Sequence, residues 1–252
     1  MKRLRRILST KGRTLIVALD HLSRPGRPTL ADPQKVLDDV AGAGADAVLL
    51  RPGPAARCDY GRLALILSCG LDVSDTAASA PAVSVELALR LDAAALKLEV
   101  FPGSPDEEKL KALQRLAATA QGWNLPVLAE MIPVAFGAPE TRDPEKVAAA
   151  ARLGADLGAS LVKVPPTERF QEITSYAGVP VVVLGGAPGD PKAMLQRVRT
   201  ALDAGAAGAA VGRNISTHEH PGRLTEALAE LIHGDRSVDQ VLPILNREIV
   251  GA

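Results

Sequence analysis

Eight short apolar runs recur along this chain, and no other feature restricts its fold so tightly. They fall at residues 15–19, 47–50, 63–68, 95–100, 126–131, 160–164, 180–184 and 209–212. Between most of them the apolar residues repeat with helical spacing, most clearly over 106–121, 144–157, 191–204 and 224–232. Continuous apolar runs suit strands buried on both faces of a parallel sheet. Their alternation with helices predicts an α/β protein whose sheet is covered by helices. Eight units in 252 residues fit a single closed (β/α)8 (TIM) barrel with a parallel eight-stranded core. A doubly wound open sheet is the competing arrangement. The third unit is ambiguous, because residues 60–68 suit either a helix or a strand.

Several helix boundaries are written locally. Ser104-Pro105-Asp106-Glu107, Asp143-Pro144-Glu145 and Asp190-Pro191-Lys192 each set a capping residue before a proline in the first turn. Gly122, Gly158, Gly205 and Gly234 mark helix ends. No linker or break in composition divides the chain, so residues 1–252 are expected to form one barrel domain. The tail 236–252 is expected to hold an extra helix, suited to packing or to contacts in a homo-oligomer.

The 29 Lys and Arg residues balance the 29 Asp and Glu residues, which argues against nucleic acid or a membrane surface as a partner. The basic N-terminus has no apolar stretch long enough for a signal peptide, and no later run could span a bilayer. Cys58 and Cys69 lack metal-ligand spacing and read as free thiols in a cytoplasmic protein. Aromatic residues make up only 2% of the chain, so the core must be aliphatic, with no aromatic platform for bases or sugars.

Lys163 lies in the apolar run Leu161-Val162-Lys163-Val164. Burying an ammonium is costly unless it is paired or loses its proton, and a neutral amine attacks carbonyls. Barrel chemistry gathers at the C-terminal ends of the strands. There the chain places Asp20 and His21 after the first run, Lys97 and Glu99 on the fourth, Glu130 on the fifth and Lys163 on the sixth. A shared polar patch in the upper lumen would satisfy them together. An inert salt-bridge network is the alternative, favoured for Lys97 by its neighbour Glu99; for Lys163, with no acid in its own strand, catalysis is favoured.

The turn Gly185-Gly186 after the seventh run and Gly212-Arg213 after the eighth suit phosphate. Glycines let backbone N–H groups approach an anion, barrels bind phosphate at these two loops, and Arg213 adds a charge-assisted contact. His21 reads equally as a proton shuttle or orienting donor, or as a packed ring. Arg24 and Arg27 could meet a distal anion or be solvated loop charges. His218 and His220 are too isolated from carboxylates or cysteines for a metal site, and no metal is expected.

With these residues assembled, the chain resembles the class I aldolase family of archaeal-type fructose-bisphosphate aldolases. That family includes the 2-amino-3,7-dideoxy-hept-6-ulosonate synthases and is related to deoxyribose-phosphate aldolase. The matching pieces, in order over about residues 15 to 215, are these: Ala18-Leu19-Asp20-His21, Leu128-Ala129-Glu130-Met131, Asp143-Pro144-Glu145, Leu161-Val162-Lys163-Val164, Gly185-Gly186-Ala187-Pro188 and Ala210-Val211-Gly212-Arg213-Asn214-Ile215. The resemblance implies a metal-independent enzyme without cofactor. Lys163 would form a Schiff base with a ketone phosphate such as dihydroxyacetone phosphate, and an aldehyde would be the second substrate. Asp20 would assist proton transfer, and Gly185, Gly186, Gly212 and Arg213 would hold the phosphate.

The family's fifth-strand motif is Met-Tyr-Pro-Arg-Gly, with the tyrosine an acid/base candidate. This chain reads Met131-Ile132-Pro133-Val134-Ala135, and Ile132 carries no proton. The substitution shifts the expectation from glycolytic cleavage of fructose 1,6-bisphosphate toward a specialised biosynthetic condensation. A non-catalytic sugar-phosphate-binding protein and a phosphosugar isomerase using Glu130 or Asp20 as base are the alternatives.

Overall fold

A computed structural model of the chain describes residues 2–21, 32–69, 85–104, 107–135, 138 and 141–247. Eight parallel strands close in chain order: β1 (Thr14–Ala18), β2 (Ala47–Leu50), β3 (Ala64–Cys69), β4 (Ala95–Val100), β5 (Val127–Met131), β6 (Leu161–Val164), β7 (Val181–Leu184) and β8 (Gly208–Val211). Closure runs through β1 and β8, with Leu15 opposite Ala209 and Val17 opposite Val211. The sheet is therefore a closed barrel, not an open doubly wound one. The ambiguous third unit is a strand, buried along its whole length.

The helices are α1 (Pro33–Ala41), α2 (Pro52–Arg57), α3 (Val85–Arg90), α4 (Glu108–Gly122), α5 (Pro144–Asp156), α6 (Phe170–Ala177), α7 (Pro191–Asp203), α8 (Arg213–Ser216), α9 (Pro221–Ile232) and α10 (Val238–Leu245). Asp143 and Asp190 cap α5 and α7 as expected; Asp190 accepts from the N–H groups of Lys192 and Ala193 at 3.1 and 3.2 Å. The α4 start differs. Residues after β4 turn tightly, with Ser104 N–H donating to the Phe101 carbonyl, and the helix begins only at Glu108, with Glu107 at the cap and no side-chain cap bond. Glycines sit at the ends of α4 and α9 as expected, but the left-handed residue comes after each of them. Gly122 is still helical and Asn124 takes the left-handed conformation, while Asp235 does so after Gly234. The extra helix near the C-terminus is α10, started by a reciprocal Ser237–Gln240 capping box. Among the described residues, no helix is long and apolar enough to cross a membrane.

Period-two alternation splits the strands into two apolar layers. Val17, Leu65, Val162 and Val183 face outward against the helices. Ile16, Leu49, Ile66, Leu128, Leu161 and Val182 face inward and fill the lumen. The floor is closed by the chain's own start. A 3-10 turn over Arg3–Arg6 delivers Ile7, 1% exposed, into the lumen cluster. Arg3 donates to the Ala93 carbonyl at 2.9 Å, and Arg6 meets Asp92 through both guanidinium NH2 groups at 3.0 and 2.9 Å.

Candidate active site

Two residues beyond the inward apolar layer, the same faces of the strands change character. Ala18, Leu49, Ile66, Ala95, Leu128 and Leu161 lead to Asp20, Arg51, Ser68, Lys97, Glu130 and Lys163. These six are all 9% exposed or less. On β7 and β8, Val182 and Ala210 lead instead to Leu184 and Gly212. The polar residues thus come from six adjacent strands, β1 to β6, and the glycine turns after β7 and β8 complete the barrel mouth.

The polar groups form one connected system. Glu130 Oε1 lies 2.6 Å from Lys163 Nζ, and its Oε2 lies 2.7 Å from Lys97 Nζ. Lys97 also reaches Asp20 Oδ2 at 3.1 Å. Ser68 Oγ donates to that same oxygen at 2.8 Å, and Arg51 Nε donates to the Asp20 backbone carbonyl at 2.8 Å. The expected polar patch shared by these strand ends is present, and Lys163 is paired as closely as Lys97. The parallel register sets Glu130 beside Lys163, so the neighbouring strand supplies the acid that β6 lacks. Glu99, half-buried, is the register partner of Glu130 on the other side.

Burial alone would favour neutral carboxyls and amines here. It pushes Glu130 up, but the ammonium groups of Lys163 and Lys97 outweigh it and hold Glu130 at about 2. Burial likewise pushes Asp20 up; Lys97, Lys163, His21 and the Ser68 hydroxyl prevail and hold it well below the usual carboxylate range. For Lys97, burial pulls down while Asp20, Glu130 and Glu99 pull up, and the acids win by a wide margin. His21 stands at the rim with surface open to solvent, yet crowding of its ring lowers its pKa; Asp20 opposes that shift and Lys163 reinforces it.

The two glycine turns are drawn toward the charged side. A Cβ added at Gly212 would come within 2.6 Å of the Ala18 carbonyl oxygen and 2.7 Å of His21 Cε1, so only glycine lets β8 end against β1 and His21. A Cβ added at Gly185 would come within 2.9 Å of Val211 Cγ1. Gly186 has φ +76, the left-handed region. Arg213 is exposed at the start of α8, and Asn214 is buried with its amide on the Gly185, Gly186 and Ala187 carbonyls.

The structure thus gathers Asp20, Lys97, Glu130 and Lys163 as ion pairs, with His21 at their edge and Gly185, Gly186, Gly212 and Arg213 at the neighbouring turns. Arg24 and Arg27 lie outside the described residues. His218 is engaged locally, its Nδ1 accepting from the His220 backbone N–H at 3.0 Å. Arg51, Ser68 and the role of Asn214 were missed. Carrying the inward face of β2 and β3 two residues further would have found the first two.

A family model described as DeoC/LacD family aldolase matches residues 14–218. The chain is 32% identical over 257 residues to 2-amino-3,7-dideoxy-D-threo-hept-6-ulosonate synthase 1 of Archaeoglobus fulgidus, covering 99% of this chain and 97% of that one. It is 35% identical over 235 residues to 2-amino-4,5-dihydroxy-6-oxo-7-(phosphonooxy)heptanoate synthase of Streptomyces griseus, covering 88% of this chain and 85% of that one. Among solved structures, an archaeal fructose-1,6-bisphosphate aldolase with its catalytic lysine covalently bound to the carbinolamine intermediate superposes with a TM-score of 0.80. It shares 31% identity and covers 92% of this chain and 99% of that one.

Proposed function

The chain belongs to the DeoC/LacD family of aldolases, which makes it an enzyme of the Schiff-base class, and from that premise we propose that Lys163 forms an imine with a ketone phosphate and joins it to an aldehyde. The observation that carries this reading is a buried lysine amine 2.6 Å from a carboxylate at the barrel mouth. Glu130 is in place to take the proton that Lys163 must give up before attacking a carbonyl. The carbinolamine then loses its hydroxyl as water, with a proton returned from Glu130. Glu130 takes a proton from the neighbouring carbon to give an enamine, the enamine adds to the aldehyde carbon, the same proton is returned to the new alkoxide, and water releases the product from Lys163. Asp20 Oδ2 is occupied by Ser68 and Lys97, while its Oδ1 meets no described residue and serves a substrate hydroxyl. Lys97 keeps both carboxylates ionised and in place, and His21 borders the substrate.

Gly185, Gly186, Gly212 and Arg213 bind the donor's phosphate in this proposal, orienting the ketone toward Lys163. The donor is dihydroxyacetone phosphate or a similar ketone phosphate. The S. griseus enzyme's product name carries a 6-oxo group beside a 7-phosphate and an amino acid at the other end. An aldol bond between its fourth and fifth carbons divides it into dihydroxyacetone phosphate and a four-carbon amino-acid aldehyde. Ile132, 8% exposed where an acid/base tyrosine would stand, favours such a condensation over cleavage of fructose 1,6-bisphosphate. The proposal takes residues 1–252 as one domain, acting in the cytoplasm as a homo-oligomer, without metal or cofactor.

Borohydride reduction in the presence of dihydroxyacetone phosphate, followed by peptide mass mapping, tests the reading. A single adduct on Lys163, absent in Lys163→Ala, is expected. An adduct elsewhere overturns the lysine assignment. Stabilisation by the ketone phosphate without any adduct favours a sugar-phosphate-binding protein, and enolisation surviving in Lys163→Ala favours an isomerase.

A further inference from the structure

We propose that Asn214 is a positioning residue that sets the enzyme's preference for phosphorylated substrates by holding the turn 185–187 in an anion-receiving form. The inference rests on the reading of that turn as part of the phosphate site. Asn214 Nδ2 lies 3.2 Å from the Gly185 carbonyl oxygen, 3.2 Å from that of Gly186 and 3.3 Å from that of Ala187. One amide nitrogen with two hydrogens thus serves three successive carbonyls. At 6% exposure, water has little room to replace it.

The consequence follows from peptide planarity. Each carbonyl points opposite to the N–H of the next residue. Drawing the Gly185 and Gly186 carbonyls to Asn214 turns the N–H groups of Gly186 and Ala187 the other way. Neither N–H donates to any described residue. Successive N–H groups turned to one side form a concave receptor for an anionic oxygen. The Gly186 Cα also faces open space, since a Cβ added to it would meet nothing within 4 Å. Gly185 N–H is already committed to the Ala210 carbonyl at 3.2 Å, which anchors the turn to β8 at its other end. Asn214 therefore acts on phosphate through the backbone it organises, without itself touching the ligand.

The test compares dihydroxyacetone phosphate with dihydroxyacetone as donor, in the wild type, Asn214→Ala and Asn214→Ser. Wild type is expected to prefer the phosphorylated ketone, with inorganic phosphate competing against it. Asn214→Ala should raise KM for the phosphorylated ketone by about tenfold or more with kcat much less affected. Borohydride trapping of dihydroxyacetone on Lys163 should be retained, which also reports that the site is folded. Asn214→Ser, which keeps one donor, should fall between. Three outcomes overturn the inference: an unchanged preference in both variants, an equal loss with both ketones, or a fall in kcat alone. A wild type indifferent to the phosphate, or phosphate that fails to compete, refutes the underlying phosphate site rather than the role of Asn214 within it.

Discussion

Glu130 divides its two oxygens between two lysines, and that division governs how the protein responds to acid. Its carboxyl is held at about 2 against an ordinary 4.5. The ion pairs are therefore intact above the ordinary carboxylate range, and their stabilisation is lost as pH falls toward the folded value. Asp20 behaves in the same way. Lys97 is held well above its ordinary 10.5, so its contribution is whole below that and is lost as pH rises through the folded value. Melting temperature against pH should be nearly flat between about pH 5 and about pH 10 as far as these groups decide it. Glu130→Gln should destabilise the protein by about 3–5 kcal/mol at neutral pH, because two buried ammonium groups lose their shared partner, and should make the acid decline shallower. Lys163 was legible in the sequence because an ammonium in an apolar run is anomalous on its own. Which carboxylate oxygen meets which amine was not, since that depends on strand stagger. Ser68 passed unnoticed because a buried serine needs only one nearby acceptor to be unexceptional.

The strand–turn–helix junctions carry the next level of organisation. Caps at α5 and α7 were readable because an aspartate and a proline act within their own turn. The start of α4 was not, because Ser104 is engaged in a turn with Phe101, while Pro105 and Asp106 of the expected cap lie outside the described residues. The meeting of β8 with β1 could be read from no local signal, and it makes Gly212 irreplaceable. Gly212→Ala would drive a methyl within 2.6 Å of the Ala18 carbonyl oxygen, which as backbone cannot swing aside. A loss of about 1–3 kcal/mol in denaturant unfolding is expected, together with a raised KM for the phosphorylated donor. Gly186→Ala, by contrast, meets no atom, and its cost is confined to the left-handed backbone at φ +76.

Across the molecule, the eightfold count was legible because every strand repeats one physical condition, burial on both faces. That count favoured a closed barrel over an open doubly wound sheet, but it said nothing of how the floor is sealed. Nothing in Met1-Lys2-Arg3-Leu4-Arg5-Arg6-Ile7 announces that one isoleucine plugs a lumen while the arginines tie down the loop before β4. Ile7→Ala should cost about 2–5 kcal/mol in denaturant unfolding through the cavity it leaves. Turnover per folded molecule should stay unchanged, since apolar lumen residues such as Ile16 and Leu128 separate Ile7 from the charged ring. A fall in kcat of the folded variant would show that floor and mouth are mechanically linked.

The charged ring also fixes what the reaction must not disturb. Two carboxylates, Asp20 and Glu130, face two amines, Lys97 and Lys163. A protonated imine bears the same charge as the ammonium it replaces. Capture of a ketone on Lys163, as proposed, would therefore leave the ring with the charge it had before the ketone arrived. No compensating ion has to enter, and the surrounding dipoles have little to reorganise. In that reaction the ring begins and ends with the same charge, and the one proton that leaves Lys163 travels no further than the carboxylate 2.6 Å away before it is returned.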